Sequence, residues 1–360
     1  MLSSMFLKTK KLLAVLSVMV LLLALLVGCD ARDTKSTQEN IEHEVEQPES
    51  KKENVLFKVV TPPDPNSIPL LVLDAKQKEW MDGVEIQTTV APGGDPSAMR
   101  ALLHSKEADF ALFNALGGAK NYANGLTDLK LMGVHIWKGV YLLTRENVEN
   151  WEELNGAKAL AVPGVGTPPQ IMALKALGKH KVEMNFGGMG PGLALWTALS
   201  KEDSDILAVA APEPIVSMLL IRQESEGWSN KFKIFADLAQ EINPKQGRIP
   251  LGALIMVDKA MLDDANKSEA AKTFIAGFEK SINYINDPAN HSEVSELLVA
   301  KWKEVFKQEL PKKLFEAMLS SGRIGAEYMP AYEVKDEVMD FWEKQFNFKA
   351  SEEFFYQKEE

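Results

Sequence analysis

Val55-Leu56-Phe57-Lys58-Val59-Val60, followed at once by Thr61-Pro62-Pro63-Asp64-Pro65, opens the folded part of this chain. The first six residues read as a buried strand. The prolines end it, because each lacks the N–H that a ladder needs. Working outward, Ile68 to Trp80 reads as a helix, and Val84 to Val90 alternates as a strand until Gly93-Gly94-Asp95 breaks it. Pro96 to Ser105 is a short helix. Ala108-Asp109-Phe110-Ala111-Leu112-Phe113 is a strand, with Asn114 as the cap of the next helix. Leu129 to His135 and Val140 to Thr144 are further strands. Strands alternating with helices predict a mainly parallel sheet covered on both faces.

The pattern then restarts. Lys158 to Val162 is a strand, Gln170 to Leu177 a helix, Met184 to Phe186 a short strand, Pro191 to Leu199 a helix and Asp205 to Ala210 a strand. Ala211-Pro212-Glu213-Pro214 then opens a helix that runs to Arg222. The apolar run Leu251 to Val257 carries the chain back to the first lobe. Ala271, Phe274, Ile275, Phe278, Ile282 and Ile285 form a helical stripe. The tail holds Phe341, Trp342, Phe346, Phe348, Phe354, Phe355 and Tyr356, so it packs back on the body. The expected fold is α/β and two-lobed, each lobe a sheet flanked by helices, with a helical C-terminal extension. Residues 55–143 and 251–360 make lobe 1, and 144–250 make lobe 2. Hinges are expected near Lys138–Leu143 and Arg248–Gly252.

The 54 residues ahead of this body have a different texture. Lys8, Lys10 and Lys11 precede the apolar run Leu12 to Val27, and Gly28-Cys29 ends it. These are the parts of an export signal, residues 1–28. As a helix the 16-residue run would span about 24 Å, short for a hydrocarbon core of about 30 Å, so an uncleaved anchor is disfavoured. Residues 29–54 are rich in Glu, Gln, Ser, Asn and Lys and read as a disordered tether. Three of the 40 basic residues and none of the 51 acidic ones lie in 1–28, which leaves 37 against 51 and a net charge of −14. That balance argues against nucleic acid as a partner. Cys29 is the one cysteine, so no disulfide is available and stability must come from packing.

Leu26-Val27-Gly28-Cys29 resembles a bacterial lipobox, in which Cys29 is lipidated, by palmitate among other chains, and becomes the first mature residue. The folded body resembles the solute-binding subunit of a bacterial ABC importer, of the nitrate/sulfonate/taurine/thiamine-precursor group of type II periplasmic binding proteins. Ala108 to Asn114 is similar to that family's Gly-x-Ala-Asp-Ile-Ala strand. Trp151-Glu152-Glu153-Leu154-Asn155-Gly156-Ala157-Lys158 is similar to its Trp-x-Asp-Leu-Lys-Gly-Lys lead-in to the second lobe. Gly166-Thr167-Pro168-Pro169 resembles its helix start, and Ala211-Pro212-Glu213-Pro214 its Pro-Glu-Pro corner. The resemblance spans about 55–357. It implies a monomer, held to the cell membrane by lipid on Cys29, that captures a small molecule between its lobes. It implies delivery to a membrane permease powered by a separate ATPase, with no cofactor.

In open α/β sheets, ligands bind beyond the carboxyl ends of the strands. Helix starts there present unpaired N–H groups and suit anions. On that ground Gly94, Ser97, Asn114, Gly166, Thr167 and Gly188 are candidate ligand residues, and each could equally be an ordinary cap or turn. Asp64, Asn66 and Glu213 also stand on the expected rim, and Trp137 near a lobe crossing. A carboxylate with an aromatic wall suits a cationic or nitrogen-rich heteroaromatic ligand instead; a helix-start carboxylate and a core tryptophan are the plainer alternatives. Arg248 could serve an anion or a surface ion pair.

His43, His104, His135, His180 and His291 are scattered, so no metal set is expected. Gly187-Gly188-Met189-Gly190 lacks the Gly-Lys-Ser/Thr of a nucleotide loop. No Gly-x-Ser-x-Gly elbow is present. An enzyme is therefore not expected. Two other functions fit the same architecture: a biosynthetic enzyme of this fold, and a ligand-binding partner of a membrane sensor.

Overall fold

A computed structural model of the chain describes residues 54–91 and 96–358, which belong to one compact unit, Lys52–Glu360. The expected signal, Cys29 and the tether up to residue 53 lie outside the described residues, as does Gly94.

The elements run β1 (Val55–Thr61), α1 (Ser67–Trp80), β2 (Val84–Val90), α2 (Pro96–Ser105), β3 (Phe110–Asn114), α3 (Ala115–Ala123) and β4 (Lys130–Ile136). Then come β5 (Val140–Arg145), β6 (Lys158–Ala161), α4 (Pro168–His180), β7 (Asn185–Gly188), α5 (Leu193–Ser200), β8 (Ile206–Pro212), α6 (Ile215–Ser225), β9 (Phe232–Asp237) and α7 (Leu238–Ile242). The chain ends with β10 (Gly252–Met256), α8 (Ala265–Asn286), α9 (His291–Phe306), α10 (Lys312–Ser320), β11 (Ala326–Pro330) and α11 (Ala331–Phe346).

Two sheets result. One has the order β11-β4-β10-β3-β1-β2, the other β7-β6-β8-β5-β9. Five of these strands in each sheet follow the same plan. β1 pairs parallel with β2 and β3, as β6 does with β7 and β8. The strand that arrives from the other sheet then inserts antiparallel: β10 between β3 and β4, and β5 between β8 and β9. The sheets are therefore mixed rather than mainly parallel. A βαβ unit needs a crossover helix to stay parallel. The chain crosses into β5 through only Trp137-Lys138-Gly139, and its return into β10 holds only the five-residue α7. β5 lies wholly in the second sheet and spans the 143/144 boundary read from the sequence.

Phe57, Val59 and Val60 of β1 are fully buried, as are Phe110, Ala111 and Leu112 of β3. Lys58 and Leu56 of β1 remain exposed, so the burial is continuous only over residues 59–61 and 110–112, where both faces of the sheet are covered. Phe274, Phe278, Ile282 and Ile285 of α8 close one face of the first sheet. The aromatic tail closes the other: Phe355 bridges to Leu131 of β4, and Trp342, Phe354 and Phe355 are buried together. α10 packs on α6 and joins the layers of the two sheets. At Gly252 a Cβ would stand 1.8 Å from Asn66 Oδ1 and 2.9 Å from Ile136, so only glycine admits β10 this close to the loop after β1.

Candidate functional site

The carboxyl ends of β1, β3, β6 and β8 open onto one cavity of about 370 Å3 between the two sheets. Pro62, Asp64, Pro65 and Asn66 follow β1; Phe113 and Asn114 end β3; Pro163, Pro168 and Pro169 follow β6; Pro212 and Glu213 follow β8. Met99, the crossing residues Ile136, Lys138, Gly139 and Val140, and Leu251 complete the wall. Six of these residues are prolines, which stand at the ends of β1, β6 and β8 or in the loops that follow them and leave the wall poor in N–H donors.

Asp64 is half-buried in that wall. Its Oδ1 accepts hydrogen bonds from the backbone N and the side-chain Nδ2 of Asn66, both at 2.8 Å. Its Oδ2 has no protein partner among the described residues. Burial pushes its pKa up to about 6, against the pull of the two Asn66 donors. Behind it lies His135, fully buried, with Nε2 3.3 Å from the Asn66 carbonyl oxygen. Burial pushes the imidazole down to about 3, so the ring is neutral at pH 7. With a carbonyl as partner, Nε2 carries the proton. His135 Nδ1 and Asn66 Oδ1 are buried without any hydrogen-bond partner.

Glu213 faces the same cavity in a different state. It is fully buried, yet its carboxylate accepts from Ser217 N at 3.1 Å, Ser217 Oγ at 3.0 Å and the Arg323 guanidinium. Arg323 also donates to Ser217 Oγ at 2.6 Å, and its carbonyl accepts from Tyr141 Oη at 2.7 Å. Arg323 precedes β11 of the first sheet, whereas Glu213 follows β8 of the second. The charge of Glu213 is thus consumed by a contact between the lobes.

The helix starts offer fewer anion donors than their sequence suggests. Asn114 Oδ1 accepts from Gly117 N at 2.8 Å, and Ala115 N donates to the Leu251 carbonyl at 2.9 Å. Pro168 and Pro169 occupy the first two positions of α4 and have no N–H to give. Ser217 N is taken by Glu213.

Of the sequence-predicted residues, Asp64, Asn66, Asn114 and Glu213 come together in the cavity wall. Ser97 is exposed on α2, outside it. Thr167 donates its hydroxyl to the Gly164 carbonyl at 2.5 Å, also outside the wall. Gly188 lets β7 approach the Gly164-Val165 backbone, where a Cβ would meet Val165 N at 2.7 Å. Gly166 lines a smaller neighbouring pocket. Trp137 is buried rather than walling the cleft: its Nε1 donates to the Glu327 carbonyl at 2.8 Å, and Arg248 stacks over its ring at 4.6 Å. Arg248 itself pairs with Glu337 at 2.9 Å and Glu327 at 3.3 Å.

Lys138 and Phe113 in the wall, and Arg323 behind Glu213, were not singled out as site residues from sequence. Lys138 Nζ is 3.9 Å from Asp237, whose carboxyl burial pushes upward. Among the described residues, no group of three or more His, Cys, Asp and Glu side chains could hold a metal ion. No described helix is long and apolar enough to cross a membrane.

No family model matches the chain, and no curated protein matches it. Solved structures do. An ABC transporter structure from Parabacteroides distasonis aligns over 85% of this chain and 100% of its own, with 20% identity and a TM-score of 0.61. The periplasmic aliphatic sulphonate binding protein SsuA from Escherichia coli aligns over 84% and 92%, with 15% identity and a TM-score of 0.60. The alkanesulfonate-binding protein SsuA from Xanthomonas axonopodis pv. citri, bound to MOPS, aligns over 82% and 94%, with 14% identity and a TM-score of 0.54. The chain has the periplasmic-binding-protein fold, and its structural neighbours are binding proteins of ABC transporters.

Proposed function

We propose that this chain is the extracytoplasmic solute-binding component of an ABC importer, moored to the cell membrane by lipid on Cys29. A small molecule enters the interlobe cavity, the lobes close on it by a hinge at Trp137–Gly139 and the return before β10, and the closed form docks on a permease. The observation that carries this reading is the cavity itself. Strand ends from both sheets converge on it, its wall is mostly apolar, and one carboxylate in it keeps an oxygen without a partner.

The wall favours a planar, nitrogen-bearing heteroaromatic of the thiamine-precursor type. Asp64 Oδ2 would accept from a ring or amino N–H, while Phe113 and the prolines pack on the ring faces. A sulfonate or nitrate is the second reading, because Lys138 lines the cavity and sulfonate-binding proteins share the fold. Calorimetry with an aminopyrimidine, an alkanesulfonate and nitrate separates them. The favoured reading expects the aminopyrimidine to bind, with affinity lost in Asp64→Ala and weakened as the carboxylate protonates below about pH 6. Tighter binding of the sulfonate, lost in Lys138→Ala, would select the second reading. Binding of none of the three would end both ligand readings, and turnover of any of them would end the binding-protein reading.

A further inference from the structure

Next to the main cavity lies a second one of about 220 Å3, and the two share Asn114, Pro168 and Leu251 in their walls. Ile171 and Met172 of α4 form one side of the smaller space, and Phe341, Trp342 and Phe346 of α11 form another. No aspartate or glutamate lines it. Lys120 lines it from α3; the residue is exposed and makes no ion pair among the described residues. Lys175 stands over the Phe346 ring at 5.5 Å, likewise without an ion pair. In a chain with 51 acidic and 40 basic residues, two uncompensated ammonium groups beside an aromatic pocket are a local reversal of charge.

We propose that this pocket is a second compartment of the ligand site, built for an apolar arm that ends in a carboxylate or phosphate. The arm reaches past the shared wall residues Asn114, Pro168 and Leu251, lies against Ile171 and Phe341, and presents its anionic end to Lys120. The proposal rests on the binding-protein reading above. It adds that the imported solute has two parts, a heteroaromatic head and an acidic tail. The apolar lining supplies affinity by burial, about 25 cal/mol per Å2 of apolar surface. Lys120 supplies selection for the anion, and the wall carries no carboxylate to oppose it.

Two probes test the compartments separately by calorimetry on the intact folded protein: an aminopyrimidine for the head and 4-phenylbutyrate for the arm. Phenylbutyrate is expected to bind the wild type and to lose roughly tenfold in affinity in Lys120→Glu, since attraction becomes repulsion at short range. It should be indifferent to Asp64→Ala. Leu116 of α3 also lines the pocket, and filling it with Leu116→Trp should abolish phenylbutyrate binding, while aminopyrimidine binding stays as in the wild type in Lys120→Glu. No phenylbutyrate binding to the wild type, or binding unmoved by Lys120→Glu, would overturn the compartment. So would loss of phenylbutyrate in Asp64→Ala, which would put it in the main cavity. Arm binding without head binding would leave the compartment standing and reject the heteroaromatic reading instead.

Discussion

Two carboxylates face the same cavity, and they are in opposite states. Glu213 is fully buried, yet it has the Arg323 guanidinium and two donors from Ser217 around it. Asp64 is less buried, yet only Asn66 donates to it, and two atoms behind it, His135 Nδ1 and Asn66 Oδ1, have no partner. Satisfied buried charges hold a structure together, whereas unsatisfied ones are kept for something that arrives later. The lobe-2 acid is thus a fastener between the sheets. In the proposed binding-protein reading, the lobe-1 acid is the group that meets the ligand.

The sharpest way to break this comparison is to remove the fastener. Glu213→Ala leaves the Arg323 guanidinium, 17% exposed, without its carboxylate. Removing one partner of a buried pair is expected to destabilise by about 3–5 kcal/mol. Glu213→Ala with Arg323→Met should recover much of that, because no lone charge remains. Urea denaturation of both variants checks it. A single variant that loses less than about 1 kcal/mol would mean that Glu213 is no fastener, since even one neutral hydrogen bond contributes that much.

Asp64 should respond with the opposite sign. Its folded-state pKa lies above the ordinary aspartate value, so the folded protein holds the proton more tightly than the unfolded chain. Relative to its protonated form the carboxyl costs nothing below about pH 4, and the cost grows between about pH 4 and 6 to about 3 kcal/mol above that window. Asp64→Asn should stabilise the ligand-free protein at pH 7 and be neutral near pH 4. His135 works against it in acid. Its folded pKa lies below the ordinary imidazole value, so its stabilisation is complete above about pH 6.5 and falls by about 1.4 kcal/mol per unit on acidification. In the wild type the two slopes offset each other between pH 4 and 6. In Asp64→Asn the histidine slope should stand alone. A variant whose stability fails to rise at pH 7 would show that Asp64 already has a partner.

This contrast was only partly legible in the sequence. The strand Val55–Val60 and its proline stop were plain, because apolar runs and missing N–H groups act locally. So was Asn114, whose cap is made within three residues. The antiparallel insertion of β5 and β10 was not, because strand direction depends on where a distant segment docks. β9 and β11 were missed as well. β9 is an edge strand with two of its six residues buried, and β11 is five residues long, so neither carries a strong apolar signature. Glu213 was visible as a corner residue, but its neutralising arginine is 110 positions away, which no local pattern reports. Gly166-Thr167 reads as a helix start favourable to anions, though Pro168 and Pro169, which follow it, remove two of the donors such a site uses.

The smallest expected effect concerns Thr167. Its hydroxyl donates to the Gly164 carbonyl, and it stands outside the cavity wall. Thr167→Val removes that one neutral hydrogen bond and keeps the side-chain shape, so stability should drop by about 1 kcal/mol or less. Ligand affinity should change by less than twofold. The same measurement probes the closing motion. If the lobes shut far enough to bring the start of α4 onto the ligand, the hydroxyl must leave Gly164 for a new acceptor. Thr167→Val would then weaken binding several-fold while the apo protein loses no more than that same ~1 kcal/mol. A several-fold loss would make Thr167 a contact of the closed state alone and extend the open group of polar residues from lobe 1 to lobe 2. An unchanged affinity keeps ligand recognition on the Asp64 side, with lobe 2 supplying the apolar cover.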